Sequence, residues 1–142
     1  MSGWLFYALL SAISAAFVSI FGKVGLTGVD SNVATTVRAI IMALFLIGVL
    51  AVQGGISNLP EVFNDKRGLL FVTLSGIAGA TSWLFYFMAL KLGKVSEVAP
   101  IDKLSVVFAV ILAVIIFGEK VSLVHAIGIA LIAVGGLVLV LF

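Results

Sequence analysis

Residues 33–52 read VATTVRAIIMALFLIGVLAV, twenty residues with a single charge at Arg38. A bilayer hydrocarbon core about 30 Å thick is crossed by roughly 20 helical residues, each rising about 1.5 Å. The stretch therefore reads as a membrane-spanning helix. Four others of the same kind flank it: Trp4–Gly22, Leu69–Leu90, Val98–Phe117 and Leu123–Phe142. Lipid supplies the backbone with no hydrogen bonds, so a span must be a helix or part of a closed barrel. Barrel strands alternate over about 10 residues, and these runs do not. The expected fold class is an all-α membrane protein with five transmembrane helices in one domain, residues 1–142. An odd number of spans leaves the termini on opposite sides. A second copy joined end to end would enter the membrane upside down.

Composition agrees. The chain is 63% hydrophobic and 10% charged, against roughly 45–50% and about 25% in soluble domains. Of its charged residues only Arg38, Asp102 and Lys103 fall inside the spans. There is no cysteine, which excludes disulfide and thiolate chemistry. The longest connection, residues 53–68, is too short for a soluble domain, so an extramembrane active site is not expected. The first span has no basic residues before it and is longer than the apolar core of a signal peptide, so it is read as a span. A net charge of +2 spread over both faces forms no nucleic-acid-binding patch.

Turn chemistry marks the boundaries. Asp30-Ser31-Asn32 is placed to cap the second span, and Ser57-Asn58 before Pro60 to start a short interfacial helix through Asp65. Ser96 is the expected cap of the fourth span, with Pro100 in its first turn, where a missing N–H costs little. Gly118 is expected to end that span and Ser122 to cap the fifth.

Counting basic residues by face gives Lys66, Arg67 and Lys120 on the side of the N-terminus and Lys23, Lys91 and Lys94 on the other. Crediting Arg38 and Lys103 to the nearer face makes it three against five. The positive-inside rule needs an asymmetry, and this one is weak. The balance predicts insertion in both orientations; the competing expectation is one orientation set by the small bias or by the first span.

Arg38, Asp102 and Lys103 are the candidate substrate-binding or translocation residues, since embedded charges are costly unless paired, hydrated or turned inward. In one reading Lys103 or Arg38 attracts an anionic or zwitterionic substrate and Asp102 pairs or accepts a proton. In the other an Arg38–Asp102 ion pair pins the second span to the fourth while Lys103 reaches the headgroups. The third span adds Ser82 and Trp83, with Trp83 read as lining a path and Phe85–Phe87 as an interfacial aromatic belt. Ala8, Ser11, Ala12, Ala15, Ser19 and Gly22 form a small-residue stripe suited to close helix packing. Ser11 and Ser14 also offer hydroxyls near the midplane. Gly128 and Gly135, seven apart on the fifth span, are candidates for helix or protomer association. His125 reads as interfacial. No carboxylate pair, metal-ligand cluster, nucleophile triad or phosphate loop is present, so no enzyme, catalytic residue, metal or cofactor is expected.

Residues 75–122, SGIAGATSWLFYFMALKLGKVSEVAPIDKLSVVFAVILAVIIFGEKVS, and 125–140, HAIGIALIAVGGLVLV, resemble the EamA domain of the drug/metabolite transporter superfamily. The shared pattern is an aromatic-rich FYFMAL helix end, a Ser–Ala–Pro entry to the fourth span, a closing Gly-Glu, and a glycine-rich last helix. The opening WLFYALLSAISAAFVSIFGKVGL fits as well. The resemblance implies that five helices are one half of an inverted-repeat, ten-helix transporter, as in single-domain bacterial members. It further implies an antiparallel homodimer in a bacterial or archaeal inner membrane, with the substrate site near the midplane. The first span lacks the acidic residue used by small multidrug exporters. With Arg38 and Lys103 embedded, the expected substrate is an anionic or zwitterionic metabolite such as an amino acid, carried outward by alternating access. The alternative is an accessory or assembly subunit of a membrane complex, for example in lipid-carrier flipping. Expected partners are a second copy, the lipid bilayer and a small-molecule substrate, with no nucleic acid.

Overall fold

The computed structural model describes residues 3–141, and among them there are only helices, turns and connecting loops. The helices are α1 (Gly3–Gly25), α2 (Ser31–Val52), α3 (Leu59–Asn64), α4 (Lys66–Leu92), α5 (Val95–Asp102), α6 (Ser105–Phe117) and α7 (Leu123–Leu141), with a 3-10 turn at Gly55–Asn58 before α3. α1, α2, α4, the α5–α6 pair and α7 are each long and apolar enough to cross a bilayer. These are the five expected spans, and the 3-10 turn with α3 is the expected short helix. Phe142, the predicted end of the last span, lies outside the described residues.

Side chains such as Phe45, Leu74, Ile115 and Leu131 are more than half exposed. In water that much exposed apolar surface would drive aggregation. In a membrane it is surface for acyl chains or another copy of the chain to cover.

Local chemistry sets the ends. The Asp30 carboxylate accepts from the amides of Asn32 and Val33 at 2.9 and 3.2 Å, which supplies two of the orphan donors of α2. Asp65 does the same for α4 through Arg67 and Gly68 at 3.1 and 3.0 Å. This cap starts α4 at Lys66, three residues before the apolar run begins. Ser122 Oγ accepts from the His125 amide at 3.3 Å and lies 2.6 Å from His125 Nδ1, so His125 belongs to the cap of α7. Gly118, at φ +65°, ends α6 as expected.

The fourth span departs from expectation. It begins at Val95 rather than Val98, and Lys94 rather than Ser96 is its N-cap. Glu97 closes that end: its carboxylate accepts from the Lys94 amide at 3.3 Å and lies 3.4 Å from Lys94 Nζ. Pro100 therefore sits inside α5, not in its first turn. The span is also not continuous, because α5 stops at Asp102 and α6 starts at Ser105.

The chain divides into two compact units, Met1–Phe21 with Leu92–Phe142 and Gly22–Lys91. In the second, the buried apolar residues are Leu26, Phe87 and Leu90. Phe87 is 3% exposed while Phe85 is 62% exposed. Phe87 is thus packing core, and the expected belt of Phe85–Phe87 does not include it: the two lie on different sides of α4. A Cβ on Gly22 would stand 3.0 Å from the Phe87 ring, so the glycine is what lets α1 approach that ring. In the first unit, α7 packs on α5 and α6. Gly136 is buried, and a Cβ there would lie 2.7 Å from Leu104 Cδ2. Gly128 and Gly135 have no neighbour within 4 Å of such a Cβ, so of these three α7 glycines Gly136 is the one packed within this unit.

Gly136→Val should lower thermal stability by about 1–3 kcal/mol, the usual cost of overpacking. Leu104→Ala in the same chain should recover most of the loss. Thermal unfolding of the detergent-solubilised protein, followed by tryptophan fluorescence, reads both.

Candidate functional site

In the Gly22–Lys91 unit, Arg38 lies seven residues into α2 from Ser31, about 10 Å along the helix. It faces α4. Its guanidinium carbon is 3.7 Å from the centroid of the Trp83 ring and 5.2 Å from that of Phe87. Trp83 and Phe87 are four apart on α4, so both rings project from one face. Tyr86 completes the cluster, with ring centroids 5.5 Å from Trp83 and 6.2 Å from Phe87. A cation over a tryptophan face gains about 1–2 kcal/mol when partly desolvated. That contact, together with half-burial, is how the fold holds a charge within an apolar helix.

Within the Gly22–Lys91 unit Arg38 has no carboxylate partner among the described residues; in the other unit Lys94 pairs with Glu97 and Lys103 with Asp102. Trp83 and Arg38, two of the expected site residues, are brought together. The sequence reading missed the stacking itself and the part that Phe87 and Tyr86 take in it. The four-residue spacing of Trp83 and Phe87 is the signal that carries it.

The ends of the same unit are tied by lysines. Lys23 Nζ donates to the Leu90 carbonyl and Lys91 Nζ to the Val29 carbonyl at 2.7 Å. Leu90 is in the last turn of α4, where carbonyls lack helical partners, so the Lys23 ammonium answers both an unpaired acceptor and the negative end of the helix dipole. Ser31 and Thr35 are buried beside this end of α2, with Thr35 Oγ1 donating to the Ser31 carbonyl at 2.7 Å.

In the other unit, Asp102 and Lys103 mark the interruption of the fourth span. Lys103 Nζ lies 3.3 Å from Asp102 Oδ2, with the pair partly exposed. Across the junction the backbone bonds shorten from the i−4 to the i−3 register. Lys103 donates to Pro100, Leu104 to Ile101, Val106 to Lys103 and Val107 to Leu104, at 3.0–3.1 Å. Pro100, just before the junction, has no N–H for the Ser96 carbonyl, and its ring crowds that carbonyl, so the preceding turn is weakened as well. Mid-helix 3-10 segments are weaker than α-helix and often mark hinges. Lys103 is eight residues from Val95, about 12 Å along the helix and deeper than a start at Val98 implies.

The serines are less engaged. Ser14 Oγ donates to the Leu10 carbonyl at 2.9 Å, a bond within its own helix. Ser11 and Ser82 are exposed on their helix surfaces. No group of three or more His, Cys, Asp or Glu side chains suited to a metal occurs among the described residues.

The EamA-like transporter family matches residues 2–141. A protein of Sinorhizobium sp, described as an uncharacterized transporter in the cobO 3′ region, is 42% identical over 139 residues, covering 98% of this chain and 97% of that relative. No solved structure matches the chain significantly. The chain belongs to the EamA-like transporter family. It is an integral membrane protein, and family and relative together support a membrane transporter.

Replacing Pro100 with Ala restores an amide donor for Ser96 and removes the ring. Stability should rise by about 1–3 kcal/mol, and amide exchange at residues 101–104 should slow. A fall in stability would show that the proline is not what weakens this turn.

Proposed function

We propose that this chain is a secondary transporter that exports small anionic or zwitterionic metabolites, amino acids among them, by alternating access. Its working form is an antiparallel homodimer in a bacterial or archaeal cytoplasmic membrane, with two copies inserted in opposite orientations. The interrupted fourth span, with Asp102 and Lys103 at the break, carries this reading. Transporters of inverted-repeat design place substrate and coupling-ion sites at discontinuous helices near the midplane. A charged pair at a 3-10 turn can exchange partners without disturbing a regular helix. Lys103 or Arg38 then meets the substrate anion while Asp102, released, takes a proton or another cation. Ser11, Ser14 and Ser82 are assigned to the path as hydroxyl contacts, and the open faces of Gly128 and Gly135 to association between copies.

The dimer is supported by the near balance of basic residues on the two faces and by the odd number of spans. Reversing one copy supplies the inverted second half, so each copy contributes its own Arg38, Asp102 and Lys103.

Lys103→Ala should abolish flux of a substrate amino acid in proteoliposomes. Because the Asp102–Lys103 pair is partly exposed, the change should cost no more than about 1 kcal/mol of stability. Wild-type flux in this variant removes Lys103 from the mechanism.

Orientation is readable directly in a cysteine-free chain. Single cysteines at Thr27 and at Ser57, on opposite faces, should each be labelled partly from outside and partly from inside intact cells. Labelling of each from one side only rules out dual insertion.

A further inference from the structure

We infer that Arg38, held on Trp83, is a clamp for a single carboxylate group, and that Trp83 is the positioning residue that aims it. The inference deepens the transport reading above and rests on it for the assignment of the bound molecule as substrate.

The argument begins with what the stacking leaves unused. At 3.7 Å the Trp83 ring lies against the guanidinium, and a ring face offers no lone pairs to its N–H groups. Within the Gly22–Lys91 unit no oxygen accepts a hydrogen bond from Arg38 and no carboxylate pairs with it among the described residues. A fixed fork of charged donors about 10 Å into a span, only partly buried and without a counter-charge in its own unit, is built to receive an anion.

Charge selects the class of anion. Within the Gly22–Lys91 unit, Lys23 and Lys91 are engaged with the Leu90 and Val29 carbonyls. Lys66 and Arg67 stand at the opposite end of α4 from Leu90 and Lys91. At this end of the unit Arg38 is thus the cation whose donors are not taken up by backbone carbonyls, and one guanidinium balances a monovalent carboxylate but leaves a phosphate dianion under-neutralised. A planar carboxylate also matches the guanidinium edge with two parallel hydrogen bonds. Trp83, Tyr86 and Phe87 beside it give the rest of the molecule an apolar, aromatic wall.

The probe is radiolabelled benzoate, bound to the purified full chain in nanodiscs and read by scintillation proximity. Benzamide, the neutral isostere, and inorganic phosphate serve as competitors. Saturable benzoate binding, with benzamide at least tenfold weaker and phosphate weaker still, is the expected result. Arg38→Gln should lose at least tenfold in benzoate affinity, and Arg38→Lys should recover only part of it, since an ammonium lacks the fork. Trp83→Phe should stay within about threefold of the parent. Trp83→Leu should weaken benzoate about tenfold while leaving benzamide unchanged, a split that a merely loosened fold would not produce. Each variant is compared at matched thermal stability. Equal binding of benzamide and benzoate, tighter binding of phosphate, no saturable benzoate binding, or an unchanged affinity in Arg38→Gln each overturns the clamp. Charge-selective benzoate binding in a protein that moves no solute across proteoliposomes leaves the clamp standing and defeats the transport reading. Flux with no carboxylate selectivity does the reverse.

Discussion

In a bilayer the backbone can hydrogen-bond only to its own chain, and every other feature of this protein is arranged around that constraint. Asp30, Asp65, Glu97 and Ser122 bring side-chain oxygens to the amides at the helix starts. Lys23 and Lys91 bring ammonium groups to carbonyls at and near the other helix ends. The polar residues that a span-forming sequence retains are therefore largely explained by the helix termini. Pro100, the single proline within a span, leaves the constraint locally unmet. Just beyond it the helix tightens to i−3 bonds at Lys103 and Leu104, and the embedded ion pair sits there.

The three embedded charges are accommodated in two different ways. Asp102 and Lys103 neutralise one another as neighbours in sequence, with enough exposure to stay hydrated or to be re-paired. Arg38 has no carboxylate partner among the described residues of its own unit and rests on an aromatic face. A guanidinium can be held this way because its charge is spread over a flat, weakly hydrated group, whereas a lysine ammonium at the same place would demand water or a carboxylate.

The spans were legible because length and apolarity are sufficient to specify them: all five appear, with ends displaced by a few residues where a cap, such as Asp65, lies outside the apolar run. The break in the fourth span was not legible as a break. Pro100 reads as a first-turn proline if the helix starts at Val98, and only the capping by Lys94 and Glu97 moves it to the interior. Phe87 was misassigned for a related reason. Aromatic residues near a span end suit either the headgroup belt or the core, and three consecutive ones point in different directions around the helix. Which side Phe87 takes depends on Gly22, a residue of another helix. Tertiary packing also decided which glycine matters on α7. Gly128 and Gly135 form the regular spacing, but Gly136 is the one facing Leu104.

The two lysine contacts at the α1–α2 connection have a mechanical meaning. Residues 26–30 are too few to act as a slack tether, and both the Lys23 and Lys91 contacts stitch this short turn region to the end of α4. With Leu26, Phe87 and Leu90 buried at the same place, the unit resists bending there. In the other unit the backbone shifts to i−3 bonds at the turn between α5 and α6, the kind of segment that often marks a hinge.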